Sequence, residues 1–335
     1  MGSKALKIDV HHHCVPAEYV KRLASIGITE SYGQPFPNWS PEKSLALMKK
    51  LGIDTAILSI STPGVDFKDD EFSRDITRLC NEYMAEIKQK YPGKFGAFAS
   101  VPSPDAEWAI DELRYALDEF KLDGVGLFTN YAGKYLGNRA FEEFFKELNK
   151  RNMVVFIHPT DPIGKYDPEL EIANSLIEAP FETTRAVANL IHTATADRYP
   201  DVKYILSHGG GTVPYLAWRI ALIKYSRKED SPSLLRKIYD IVIQGGPVSG
   251  LKILKNMYYD TALTASPYAL RTMQEFVGSS QIVFGSDLPF AEKVAPMVNK
   301  DLQKYPGFSV EDFKAIDYNN CLELFPHFKK YPEEF

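Results

Sequence analysis

Leu6-Lys7-Ile8-Asp9-Val10-His11-His12-His13 opens the chain with a largely apolar run that ends in three histidines. Residues 6–10 read as a short buried strand. On a strand, side chains at i, i+2 and i+4 share one face. Asp9, His11 and His13 are therefore expected to point one way, and Val10 and His12 the other. Two imidazoles one pleat apart form a bidentate claw for a divalent metal such as zinc. An expression tag would also leave histidines near Met1-Gly2-Ser3, but as a longer run in a polar linker. Asp9 is expected one layer below the claw, as a supporting or core carboxylate and not a ligand. His12 is expected to face the outer helices.

Outward from this strand the chain alternates strand and helix. Further strands are expected over residues 53–60, 95–101, 124–128, 153–157, 202–206, 257–259 and 281–284. Helices are expected over 40–51, 70–90, 105–120, 138–151, 179–198, 213–226, 233–242, 266–277, 292–304 and 309–324. Ser40-Pro41 caps the first of these helices and Asp105 is the expected cap of the third. Residues 14–40, rich in Gly, Pro and aromatics, read as an irregular insertion near the site mouth. Eight short, continuously apolar strands with helical crossovers imply parallel pairing covered on both faces. The expectation is an α/β fold, a single (β/α)8 TIM barrel over residues 1–335 with inserted loops and extra helices. A doubly wound open sheet is the other arrangement, but no glycine-rich phosphate loop follows the first strand.

The chain has 335 residues, 44% hydrophobic and 25% charged, with a net charge of −5. No basic run stands out, so nucleic acid is not an expected partner. No apolar run approaches the ~18–20 residues of a membrane span, and the first 20 residues carry no signal-peptide core. Cys14, Cys80 and Cys321 are too far apart in sequence to suggest a disulfide framework, which points to the cytoplasm. Cys14 follows the claw and reads as a packed thiol.

A barrel places its chemistry at the C-terminal ends of its strands. The first strand ends in His11 and His13, the fifth in His158-Pro159, the sixth in His208-Gly209-Gly210-Gly211, and the eighth in Gly285-Ser286-Asp287-Leu288-Pro289. Only His192 and His327 lie elsewhere, and both read as structural or surface residues. Three imidazoles and a carboxylate suit a divalent ion. His208 is then a further ligand, or the acid/base for a metal-bound water or a substrate oxygen. The three glycines after it allow close approach of a substrate to the backbone. The fourth strand ends in Leu127-Phe128-Thr129-Asn130, with no bridging acid or lysine, so one metal is expected and His208 is free.

These motifs resemble the amidohydrolase superfamily, in the branch of 2-amino-3-carboxymuconate semialdehyde decarboxylase and its relatives acting on hydroxybenzoates and methylsalicylate. The resemblance extends to Trp39-Ser40-Pro41-Glu42, Ala179-Pro180-Phe181-Glu182-Thr183-Thr184 and Phe325-Pro326. It implies a metal, zinc first and manganese second, on His11, His13, His158 and Asp287, with His208 as acid/base and no organic cofactor. It implies non-oxidative loss of CO2 and a homodimer, in which Arg219 would reach the partner's site to hold a carboxylate. One departure stands out. Relatives that act on the muconate semialdehyde carry an arginine before the first barrel helix, and here there is none between Arg22 and Arg74. The loop instead reads Ser31-Tyr32-Gly33-Gln34-Pro35-Phe36-Pro37-Asn38-Trp39, aromatic and uncharged. The expected substrate is thus a small carboxylate, an aromatic ring with one carboxylate and an ortho hydroxyl. Phe36, Trp39 and Phe290 would wall the ring, and Thr62 would line the mouth. Asp287 would then deliver a proton to the ring, with His208 resupplying it. A metal-dependent hydrolase, for instance a lactonase acting on a cyclic carboxylate, is the other reading of the same residues.

Overall fold

A computed structural model describes residues 6–162, 171–226 and 248–330. Eight parallel strands run β1 (Ile8–His13), β2 (Thr55–Ser59), β3 (Phe95–Ser100), β4 (Gly124–Phe128), β5 (Val154–His158), β6 (Lys203–Leu206), β7 (Tyr258–Asp260) and β8 (Ile282–Val283), in that spatial order. The last meets the first through Val10 N–H to Phe284 O at 3.0 Å, His13 N–H to Leu288 O at 2.6 Å and Asp287 N–H to His11 O at 2.9 Å. These bonds close the sheet into the expected (β/α)8 barrel.

Two apolar layers hold it. Inside the barrel, Ile8, Val10, Ile57, Phe98, Phe156, Ile205 and Val283 pack together above Leu322, Phe325 and Phe328 of the C-terminal segment. That segment plugs the end opposite the functional one, and Phe98 stacks on Phe156 with centroids 5.3 Å apart. A larger layer fills the space between strands and helices. Most expected helices are present: α2 (Pro41–Leu51), α3 (Asp70–Lys90), α4 (Ala109–Asp118), α5 (Glu142–Lys150), α8 (Val213–Ser226), α10 (Pro267–Val277) and α11 (Ala295–Gln303). Ser40 Oγ accepts from Lys43 N–H to cap α2, and Gly52 ends it in a left-handed turn. The expected helix over 309–324 is a continuous run of α12 (Val310–Lys314), a π turn (Ala315–Asn319) and α13 (Asn320–Leu324).

Several boundaries differ. Residues 14–40 are not wholly irregular, because Ala17–Ser25 forms α1, which buries Tyr19 and Leu23 behind Pro16. Asp105 does not cap α4; its carboxylate is taken by Ser103 Oγ and Lys134 Nζ, and the helix starts after Trp108. The helix expected over 179–198 begins earlier, as α6 (Asn174–His192), and breaks at left-handed Ala194 before α7 (Thr195–Arg198). An additional helix, α9 (Val248–Lys255), precedes β7. The helix expected over 233–242 lies outside the described residues.

The pleat of β1 is interrupted. Asp9 pairs with Ala56 but His12 with Leu58, so three steps on β1 oppose two on β2. This bulge re-phases the strand. Val10 and His11 both face the barrel axis, while Asp9 turns outward to meet His12.

Candidate active site

His11, His13, His158 and Asp287 converge at the C-terminal end of the barrel, with one ligand atom from each lying within 4.8 Å of the others. His11 Nε2 lies 3.1 Å from His13 Nε2. Asp287 Oδ1 lies 3.4 Å from His11 Nε2 and 3.2 Å from His13 Nε2. Four donors about 2.0–2.1 Å from a tetrahedral zinc are about 3.3 Å apart. The donor set therefore fits a single divalent ion.

Each ring is aimed by its other nitrogen, which fixes its tautomer. His11 Nδ1 meets Asp260 Oδ2 at 2.6 Å. His13 Nδ1 meets Ser59 Oγ at 3.0 Å. His158 Nδ1 donates to its neighbour Pro159 O at 2.8 Å. Asp287 itself sits at φ +60°, a left-handed conformation uncommon outside glycine, at the place where its carboxylate must turn inward.

The electrostatics match this geometry. Burial disfavours charge on His11, but Asp260 and then Asp287 outweigh it and push its pKa up to about 10. Burial, with the charge on His11, pushes His13 down to about 4, and burial holds His158 well below the usual histidine range. Burial works against ionisation of Asp287, but His11 and His13 hold its carboxyl well below the usual range. Its side chain is 13% exposed, while those of His11 and His13 are fully buried, so it is the ligand that opens to the mouth.

His208 follows β6, with its ring 4.8 Å from His11 and 6.1 Å from His158. Its backbone N–H donates to Asp260 Oδ1 at 2.8 Å and its Nδ1 to Ala262 O at 3.2 Å. Nε2 is left to exchange a proton, and burial pushes its pKa down, keeping the ring neutral near pH 7. The glycines after it serve the protein's own packing. A Cβ on Gly211 would lie 2.0 Å from Pro180 O of α6, and one on Gly210 would lie 2.7 Å from the Tyr259 ring. They let the loop lie close against its own chain.

Asp260 is the residue that the sequence reading passed over. It binds a ligand ring through one oxygen, and through the other the backbone of His208 and of Ala262, at 2.8 and 2.9 Å. Its signal was present: it ends Met257-Tyr258-Tyr259-Asp260, a strand end like the four that were used.

The re-phased β1 also corrects the place of Asp9. Its carboxylate does not lie beneath the claw. It accepts from His12 Nδ1 at 2.9 Å, His11 N–H at 3.1 Å, and both N–H and Oγ–H of Ser286. His12 Nε2 meets Ser44 Oγ of α2 at 2.6 Å. His12 thus faces the outer helices as expected, and with Asp9 it braces the turn that carries Asp287.

The expected substrate walls divide. Phe290 lies edge-on to His13 at 5.5 Å, and Phe128 edge-on to His158 at 6.2 Å. Trp39 instead packs against Tyr83 of α3 at 6.2 Å, in the layer outside the strands, because the α2 cap beside it fixes the chain there. Phe36 is one step removed, edge-on to Tyr19 at 6.3 Å. The Thr62 hydroxyl is engaged by Ser31 Oγ at 2.6 Å. Arg219 lies exposed on α8. Cys14 is buried, and burial raises its thiol well above the usual range, as suits a packed residue. His192 is exposed at the end of α6, and His327 Nε2 lies 2.8 Å from Asp123 Oδ1 at the plugged end.

Comparison with known proteins agrees with this geometry. Residues 8–326 match the family described as Amidohydrolase. Decarboxylase yanB of Aspergillus niger is 37% identical over 340 aligned positions, covering 96% of this chain and 88% of that protein. The 6-methylsalicylic acid decarboxylase acuB of Aspergillus aculeatus is 35% identical, with 97% of each covered. Among solved structures, a dihydroxybenzoic acid decarboxylase from Polaromonas sp. JS666, with bound manganese and the inhibitor 2-nitroresorcinol, superposes with a TM-score of 0.79 at 22% identity, covering 98% of this chain and 99% of that one. With its closed barrel and convergent His/Asp ligands, the chain belongs to the amidohydrolase family.

Proposed function

We propose that this protein is a metal-dependent, non-oxidative decarboxylase of a small ortho-hydroxy aromatic acid of the methylsalicylate type. The observation that carries the reading is the meeting of four ligand atoms within 4.8 Å, with His208 beside them, in a family whose similar members are decarboxylases. The bound metal supplies a template and Lewis acid for the oxygens of the substrate. Asp287, the ligand that opens to the mouth, carries a proton to the ring carbon bearing the carboxylate. The ring-to-carboxylate bond then breaks, its electron pair restores the aromatic ring, and CO2 leaves. His208 Nε2 takes up a proton from water at the mouth and passes it to Asp287, so each turnover consumes one proton. Phe290 and Phe128 flank the ring.

Zinc is the proposed ion, since imidazoles and a carboxylate are among its usual ligands. Manganese, present in the Polaromonas structure, is the other ion to test. We also propose a homodimer, supported by the exposed Leu176, Ile177 and Phe181 of α6 beside Tyr215, Trp218 and Leu222 of α8, the helix that carries Arg219. The three free cysteines support a cytosolic location.

The test is a panel of ortho-hydroxybenzoates and carboxylated lactones, offered to protein loaded with zinc or manganese. CO2 release from the benzoates is expected, while lactone hydrolysis without CO2 would overturn the reading. Asp287→Asn should reduce turnover by at least about 10²-fold with the fold retained, and unchanged turnover would sink the proton path.

A further inference from the structure

The short hairpin Glu30–Ser31 with Gln34–Pro35 turns through Tyr32 at φ +50° and Gly33 at φ +70°. Two left-handed residues in succession suit a tight hairpin turn of type I′, and the first is normally asparagine, aspartate or glycine. Here a bulky aromatic holds that place. The Ser31–Thr62 hydroxyl contact at 2.6 Å ties the hairpin just beyond β2, on the rim where the metal ligands lie.

The Tyr32 hydroxyl is buried, yet it has no hydrogen-bond partner among the described residues. Buried polar groups are almost always paired. Held on this rim by the Ser31–Thr62 contact, the phenol also feels the negative charges of Asp161, Glu182 and Asp287. Burial, reinforced by those charges, keeps it protonated and therefore a donor. Among the described residues, Arg185 Nη1 binds Glu182 at 2.6 Å and Glu178 at 3.5 Å, and Lys134 binds Asp105. A neutral donor is thus offered to an incoming anion in the loop that lacks arginine.

We propose that the Tyr32 hydroxyl donates a hydrogen bond to a carboxylate oxygen of the bound aromatic acid, setting the pose of the head group that is to leave. This rests on the decarboxylase reading above. It makes Tyr32 a substrate-binding and specificity residue and accounts for an aromatic at a turn position that favours small residues.

The test compares wild type with Tyr32→Phe, as full-length, metal-loaded protein. Binding is measured for 2-hydroxybenzenesulfonate, whose anionic head cannot leave as CO2, and for phenol, which has no such head. Loss of about ten-fold in affinity for the sulfonate is expected, with phenol binding unchanged and Tm unchanged or raised. Equal sulfonate affinity in the two proteins would overturn the inference. So would a lowered Tm with affinity intact, which would mean that the hydroxyl serves the fold. If wild type binds the sulfonate but releases no CO2 from any ortho-hydroxybenzoate, the decarboxylase reading fails, and the affinity ratio still decides the role of Tyr32.

Discussion

Asp260 shows how much one side chain can govern in this site. It meets His11 Nδ1 and holds the backbone of His208, so it joins a candidate metal ligand to the ring proposed to handle protons. Removing such a partner usually weakens metal binding about 10–100-fold. Asp260→Ala is expected to do so here, measured by competition with a chelator. It should also lower kcat in fully metal-loaded protein, because His208 loses its anchor. His208→Ala should differ: metal content unchanged by elemental analysis, and turnover down about 10²–10⁴-fold. The convergence of His11, His13, His158 and Asp287, with His208 beside them, was legible because each ends an apolar strand and is chemically conspicuous. Asp260 ends a strand too, but a single aspartate after two tyrosines resembles a loop cap. The expected ring walls fared unevenly, since an aromatic near the mouth in sequence can face either layer. Phe290 faces the site and Trp39 the outer core.

At the scale of elements, the bulge in β1 marks where a period-two reading fails. Strict alternation puts Asp9 under the claw. The extra residue turns Asp9 outward, where its carboxylate gathers donors from His11, His12 and Ser286. Nothing in the residue types announces a bulge, because Val10 and His11 are acceptable on either face. The helix α1 was legible in principle: Tyr19 and Leu23 lie four apart, but the glycines, prolines and aromatics around them read as loop. Asp9→Ala strips a buried network and leaves its donors unpaired. A loss of about 3 kcal/mol is expected, measured by denaturant unfolding of metal-free protein. It should also weaken metal binding, since the same carboxylate braces the turn that carries Asp287.

Across the whole molecule, the barrel was legible from eight apolar runs alternating with helical ones, and strand boundaries differed from the expectation by a few residues at most. The plug at the other end was not legible, because Leu322, Phe325 and Phe328 look like the apolar face of any last helix. Asp123 secures that end: it accepts from Lys88 Nζ at 2.6 Å and Ala97 N–H at 2.8 Å, with His327 Nε2 2.8 Å away. Burial opposes its ionisation, but His327 and the charge of Lys88 hold its carboxyl below the usual range. A carboxyl depressed in the folded state stabilises above its unfolded pKa of about 3.9, and that contribution is lost as pH falls through the folded value. Asp123→Asn should therefore cost about 2 kcal/mol near neutrality, and its Tm gap from wild type should narrow below about pH 4.

The seam between β8 and β1 has a consequence for the order in which the protein acquires its metal. His11 and His13 are made first during synthesis, and Asp287 only when some 290 residues have been joined. The two ends of that interval meet through backbone bonds at the same place where their candidate ligand side chains converge. A nascent or truncated chain that stops short of Asp287 holds two or three of the histidines but no complete cage. Tight metal retention is thereby a certificate that translation has run past the last strand and that the ring has shut.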